Sequence, residues 1–310
     1  MGTGTVGPME TSLPRPRRLA VSLRAYRRVA LASAVLLVVI VGSGATVRLT
    51  GSGLGCKHWP GCQPGAFFPD QGHHSDIEFS NRVIASVTIV ATLATFLATF
   101  LVGGLARWVR WVAGGAFAGT LAQAPLGAIT VYYHLNPWLV LTHFLLSMVV
   151  LVLGVLVALE AWDIHGDAVP LRLRQLGVLV GVSACVLIVT GTLATAAGPH
   201  SGGSKVRRIG TLDSAVWLHV RATAIFAILF FLLVTWLAAR RSGHLRGALI
   251  VLGLLAVQMV LGEIQFRTKL PWGLVLVHVF LAAIVWAAVV AFVATLWRPS
   301  VRPVGGASVG

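Results

Sequence analysis

The sequence predicts an all-α polytopic membrane protein, with eight transmembrane helices arranged as two tandem four-helix bundles related by internal duplication. Three observations carry that prediction. Hydrophobic residues make up 57% of the 310-residue chain and charged residues only 11%, giving a mean hydropathy of +0.87. Eight apolar stretches, each about the length a bilayer requires, account for nearly all of that hydrophobicity. A seven-residue pattern also recurs at matching places in the third and seventh stretches. Spans this long and apolar are helical, because in lipid a helix satisfies its own backbone within one segment.

Taken in order, residues 1–28 form a basic tail holding Arg15, Arg17, Arg18, Arg24, Arg27 and Arg28. Span one, 29–47, is too long for a signal-peptide core and lacks a small-residue cleavage pattern, so it reads as a retained helix. The loop 48–80 follows, with Cys56 and Cys62 in Gly-Cys56-Lys57-His58-Trp59-Pro60-Gly61-Cys62. Span two, 83–105, is entered through Glu78-Phe79-Ser80-Asn81-Arg82, and span three, 111–131, carries Gln123-Ala124-Pro125-Leu126-Gly127-Ala128-Ile129. Span four, 138–159, starts at Pro137-Trp138 and holds His143, closing an N-terminal half at 29–162. A linker, 163–174, leads to the C-terminal half, 175–297. Span five is 175–197; span six, 214–239, includes Trp217-Leu218-His219-Val220-Arg221. Span seven, 247–266, repeats the pattern as Gln258-Met259-Val260-Leu261-Gly262-Glu263-Ile264, and span eight, 271–297, starts at Pro271-Trp272 and holds His278. Residues 298–310 form a short tail.

Orientation follows from the cations. With the N-terminus inside, the inner segments hold fifteen Lys and Arg and the outer ones eight, with Arg221 inside a span. That bias expects both termini in the cytoplasm of a multi-pass cell-membrane protein. The net charge of +15 is therefore a membrane signature, and nucleic-acid binding is excluded as its meaning. Trp59, Trp138, Trp217 and Trp272 fall at outer ends, and Trp108, Trp111, Trp162, Trp236 and Trp297 at inner ends, as an aromatic belt requires. Lys205, Arg207 and Arg208 stand outside against the charge rule, which favours an anionic ligand over plain solvation.

The repeat places sites in register. Gln123 precedes His143 by the same interval that separates Gln258 from His278, and both histidines follow a Pro-Trp pair. Gly44 and Gly51 correspond to Gly191 and Gly198, and Asn81 stands where the second half has His219. The four site positions lie at similar depth, with the three histidines roughly 8–10 Å below the outer ends of their helices. An intramembrane histidine is either a hydrogen-bonding residue between helices or a functional ligand; the matched depth and spacing favour haem ligation. The C-terminal half then offers two imidazoles, His219 and His278, suited to a six-coordinate b-type haem. The N-terminal half offers His143 alone, with Asn81 opposite and Glu78 one turn away.

Other residues keep two readings. Glu78 is either a solvated interface residue or a catalytic one. Arg82 and Arg221 are either snorkelling anchors or partners for haem propionates. Cys56 and Cys62 face an oxidising compartment, which favours a disulfide over free thiols or a metal site with His58. Cys185 reads as packing, and His200 as a residue that shapes its loop. His58, His73, His74, His134, His165 and His244 carry no independent signal.

Several of these motifs together resemble the haem A synthase family over residues 29–297: Gly51-Ser52-Gly53-Leu54-Gly55-Cys56 with Trp59-Pro60 and Cys62, Glu78-x-x-Asn81-Arg82, Gly191-Thr192 with Ala197-Gly198-Pro199-His200, His219, and Pro271-Trp272 with His278. The resemblance implies an eight-helix membrane oxidoreductase that converts haem O to haem A for terminal oxidases by oxidising a porphyrin methyl to a formyl group. It implies a resident haem b on His219 and His278, a substrate pocket with His143 and Glu78, and Cys56 and Cys62 as the family's outer-loop pair. The implied partners are haem O and haem A, the farnesyltransferase that makes haem O, an electron acceptor and the lipid bilayer. Many members have histidine where this chain has Asn81, so two-histidine ligation of the substrate is not expected here.

Rival classes make different demands. A non-enzymatic b-type cytochrome electron carrier fits two four-helix halves but would want four histidines. A proton-relaying transporter would place its ionisable groups near the midplane. Haem prenylation would require Asp-rich diphosphate motifs, and the sequence has none.

Overall fold

The computed structural model describes residues 21–59, 61–69, 72–200 and 208–298, and among them eight helices are long and apolar enough to cross a membrane. They are α1 (Leu23–Leu49), α2 (His73–Leu101), α3 (Arg107–Tyr132), α4 (Pro137–Ala161), α5 (Leu171–Ala197), α6 (Leu212–Ala239), α7 (Leu245–Arg267) and α8 (Trp272–Leu296). The largest departure from the sequence reading is α2, which begins at His73 rather than at 83 and ends at Leu101 rather than at 105. Hydropathy marks only the lipid-crossing part. The polar first turns of α2 are helical as well, with Asp76 in the first turn complementing the helix dipole. Glu78, Asn81 and Arg82, expected at the start of this helix, therefore lie one to two turns inside it.

Helix starts are fixed by local chemistry. Ser22 accepts from Ala25 N–H at the start of α1, and Thr211 from Ser214 N–H at the start of α6. Asn136 accepts from Trp138 N–H while Pro137 occupies the first turn of α4, a position where its missing N–H costs nothing.

The duplication is visible in the backbone. The α3–α4 turn uses two consecutive left-handed residues, His134 (φ 51°) and Leu135 (φ 59°), and the α7–α8 turn uses Lys269 (φ 64°) and Leu270 (φ 59°). Non-glycine residues adopt that conformation rarely, yet here two successive ones do so at equivalent places. Each pair is held alike: Leu135 N–H donates to Thr130 C=O (2.8 Å) and Leu270 N–H to Gln265 C=O (2.7 Å).

Each half arranges its four helices as a ring, closed in the first half and loose between α6 and α7 in the second. In the first, α1–α2, α2–α3, α3–α4 and α4–α1 pack side by side; in the second, α5–α6, α7–α8 and α8–α5 do so, while α6 and α7 touch sparsely. Thus α2 faces α4, and α6 faces α8, across their rings. The halves join through α1–α8, α4–α5 and α4–α8, so α4 and α8 lie at a pseudo-two-fold centre. The main core cluster sits along this seam and into the second half, with Leu37, Met148, Leu151, Phe230, Trp286 and Val289 among its members. Trp286 secures it by donating its indole N–H to Met148 C=O at 3.0 Å. In lipid such packing and interhelical hydrogen bonds hold helices together, since water exclusion offers no drive there.

The 163–174 linker is clamped at the far end. His244 is buried and its Nε2 meets Asp167 C=O at 3.0 Å, while Gly166 N–H donates to Arg298 C=O and Arg298 pairs with Glu160. Sequence reading assigned His244 no role; its position before α7 hid this anchor. Cys185 corrects another expectation: it is a free, exposed cysteine on the outer surface of α5, not a packed one.

Candidate functional site

Asn81, His143, His219 and His278 lie on α2, α4, α6 and α8, each about two turns from the start of its helix. Each faces a glycine on the helix before it. A Cβ built on Gly127 would lie 3.5 Å from His143 Cε1, one on Gly191 2.9 Å from His219 Cε1, and one on Gly262 3.1 Å from His278 Cε1. The corresponding position for Asn81 is Gly44, at 3.9 Å from Oδ1. A side chain at Gly191 or Gly262 would crowd the facing imidazole, most severely at Gly191, while one at Gly127 would meet His143 at ordinary contact distance. The four Gly–site pairs form the same small cradle four times.

The repeated pattern in α3 and α7 gains a physical reason. Gln and Gly are four apart in it, so they stack on one helical face; the glycine clears space for the histidine and the glutamine braces its helix. Gln123 Nε2 donates to His143 C=O at 3.1 Å and to Ser147 Oγ at 2.8 Å. Gln258 Nε2 donates to His278 C=O at 3.1 Å and lies 3.2 Å from His278 Nε2. These glutamines were recognised in the sequence as a repeat but not as histidine supports.

His219 is oriented differently. Its Nδ1 lies 3.1 Å from Thr190 Oγ1, whose own proton is taken by the carbonyls of Val186 and Leu187, both at 3.0 Å. Thr190 therefore accepts from Nδ1–H, and Nε2 keeps its lone pair. A metal-binding imidazole is oriented in just this way, by a partner on its other nitrogen. Thr190 precedes Gly191, as Ser43 precedes Gly44 in the first half.

The buried polar atoms left without hydrogen-bond partners cluster at these positions. Asn81 Oδ1, His143 Nδ1, His278 Nδ1 and the side-chain oxygens of Gln123 and Gln258 are among them. Buried polar groups are normally satisfied, so this concentration marks places built to receive something. Among the described residues no three His, Cys, Asp or Glu side chains gather in one place, so a bare ion would find at most two such ligands. A haem brings four ring nitrogens and needs only one or two imidazoles. The donor set fits it: two imidazoles on facing helices in one half, one in the other.

Above the N-terminal ring sits the cysteine loop. Cys56 and Cys62 form a disulfide, which leaves no thiolates to bind a metal with His58. Glu78 is only 4% exposed, so the solvated reading does not hold. Its Oε2 accepts from Cys56 N–H at 2.8 Å and its Oε1 from Arg82 Nη2 at 2.6 Å. Arg82 also donates to the carbonyls of His58 (2.7 Å) and Gly61 (2.6 Å). Gly55 lies against the His74–Ser75 backbone so closely that no side chain fits there. Glu78 and Arg82 thus tie the loop onto α2 directly beside Asn81. Ser52 and His74 add a further tie, with Ser52 Oγ 2.9 Å from His74 Nδ1.

The remaining sequence candidates separate. Arg221 is exposed, with its guanidinium 5.9 Å above the Trp217 ring, as an interfacial anchor would be. Glu263 pairs with Arg267 on the surface of α7. His200 holds its loop as expected, its Nε2 meeting Leu270 C=O at 2.8 Å. Its own carbonyl and that of Thr195 accept from Arg48 (3.2 and 3.1 Å), so a cation from the first half caps the end of α5. Arg208 lines a cavity of about 270 Å³ with Asn136, Pro137 and Trp138, at the seam between halves; Lys205 and Arg207 lie outside the described residues.

Comparison with known proteins adds an independent line. The family model described as cytochrome oxidase assembly protein, COX15-CtaA, matches residues 27–76 and 69–290. The heme A synthase of Bacillus pumilus is 34% identical over 131 residues, 42% of either chain. Those of Lysinibacillus sphaericus and Symbiobacterium thermophilum are 24% and 26% identical over much longer stretches, 83% and 78% of this chain and 90% and 86% of theirs. The first of these matches spans less than half the length of its relative, and the other two nearly all of it.

Proposed function

Because this chain belongs to the COX15-CtaA family of cytochrome oxidase assembly proteins, we propose that it is a haem A synthase, oxidising a methyl substituent of haem O to the formyl group of haem A. The observation that carries the reading is the fourfold cradle, filled by two imidazoles in one half and by one imidazole and an amide in the other. In this reading His219 and His278 hold a resident haem b in the C-terminal half, which when bound supplies one-electron redox chemistry. Thr190 fixes the His219 ring so that Nε2 is presented.

The N-terminal half takes the substrate. His143 binds the substrate iron, and Asn81 leaves the opposite side open or bridged through its unpartnered Oδ1. Glu78, one turn from Asn81, is the base that accepts protons from the reacting carbon; Arg82 and the Cys56 N–H hold it in place. The disulfide loop lies over this pocket and limits access of water. Methyl to formyl conversion removes four electrons from the substrate and takes its oxygen from water, so an electron acceptor is required, as is a farnesyltransferase that supplies haem O. Arg221, near the same end, is the cation assigned to a propionate, while Arg82 is engaged by Glu78 and the His58 and Gly61 carbonyls. In this reading the protein spans the cell membrane with both termini in the cytoplasm and the disulfide loop outside.

The test is pigment analysis. Membranes of a host that makes haem O but lacks its own haem A synthase should contain haem A only when this chain is expressed. Haem O persisting unconverted, with the protein present and carrying haem b, would leave the electron-carrier reading in possession.

A further inference from the structure

We propose that the residue one turn after each pocket histidine, Ser147 in the first half and Ala282 in the second, decides whether the repeated glutamine competes for that histidine's metal-binding lone pair. The inference rests on the haem-binding reading above and deepens it: it makes His143 a freely presented ligand and His278 a contested one.

The geometry fixes the protons. The carbonyl of His278 can only accept, so the amide nitrogen of Gln258, not its oxygen, must face it. That spends one of two amide hydrogens. The other points at His278 Nε2, 3.2 Å away, which must accept through its lone pair. His278 then carries its own proton on Nδ1, the atom left without a partner. The same lone pair is what an iron would take.

In the first half the second hydrogen goes elsewhere. Gln123 donates it to Ser147 Oγ at 2.8 Å, and Ser147 in turn donates to His143 C=O at 3.0 Å. The hydroxyl thus parks the amide away from the ring. Ala282 occupies the equivalent place after His278, four residues on, and has no hydroxyl. The two arrangements share the glutamine, the glycine, the main-chain acceptor and the spacing. A substrate that must arrive and leave at each turnover meets an uncontested imidazole. The ligand that stays has a second imidazole, His219, to offset the competition.

The two side chains are exchanged in the full-length protein. Ala282 and Ser147 are both partly exposed, so methyl-for-hydroxyl swaps have room. With Ala282→Ser, transfer of the resident haem from purified protein to excess apomyoglobin should slow about fivefold, the order set by one net hydrogen bond. With Ser147→Ala, protein already holding its resident haem should bind added haemin at the N-terminal pocket about fivefold more weakly, and Ser147→Thr should restore the wild-type affinity. Transfer from Ala282→Ser that is unchanged or faster overturns the inference while leaving the haem-binding reading intact. So does haemin affinity in Ser147→Ala equal to wild type. A wild-type protein that holds no haem at all overturns both.

Discussion

The N-terminal bundle is closed, with α2 packed along α3 and a disulfide loop tied over its mouth by Glu78 and Arg82, whereas in the C-terminal bundle α6 and α7 barely meet. Yet the two bundles share a left-handed turn of two non-glycine residues, a Gln-to-His brace and a glycine opposite each site position. The scaffold was kept and a few side chains were changed. Asn81 against His219 sets the number of imidazoles, and Ser147 against Ala282 sets where an amide proton goes. Under the proposed reading, ligation in these pockets is decided by single side chains on a constant backbone, so equivalent substitutions in the two halves should have unequal outcomes.

The largest effect is expected at the paired imidazoles. His219→Ala or His278→Ala removes one of two axial ligands, and the purified protein should lose most of its haem or show a high-spin spectrum, with turnover falling in step. A retained low-spin spectrum in both variants would erase the proposed difference between the halves.

Glu78→Gln comes next. It keeps the shape, removes the charge paired with Arg82, and removes the proposed base. Haem A formation should fall by about 10²-fold, the scale of general base catalysis, while the resident spectrum stays unchanged. Loss of resident haem in this variant would show that the loop clamp serves the whole protein and not the first pocket alone.

The smallest change sharpens the comparison most finely. Asn81→His restores an imidazole opposite His143, and Gly44 is far enough from Asn81, at 3.9 Å from its Oδ1 for a built Cβ, to leave room for the ring. Added haem should then give a second six-coordinate low-spin signal. Its absence would mean that α2 and α4 are not spaced as α6 and α8 are.

Much of this was legible in the sequence, and the rest was hidden for identifiable reasons. The eight spans follow from hydropathy, and the duplication from Gln123–His143 against Gln258–His278. The start of α2 was misplaced because His73, His74, Asp76 and Glu78 look like loop residues until the cysteine loop packs against them. The burial of Glu78 depends on the Cys56 amide, a main-chain group that residue patterns do not display. Thr190 and Ser147 are ordinary helix residues in sequence; only three-dimensional adjacency to His219 and Gln123 gives them a role. Gly127 and Gly262 could have been singled out, since each lies four residues after the bracing glutamine and so on the same face.

The division of labour between the bundles is tested most directly by the haem content and optical spectrum of His143→Ala protein, measured beside its haem A output. The resident low-spin haem should remain at wild-type stoichiometry while haem A formation is abolished. If His143→Ala instead strips the resident haem while His219→Ala retains it, the resident and substrate sites are in the opposite halves from those assigned.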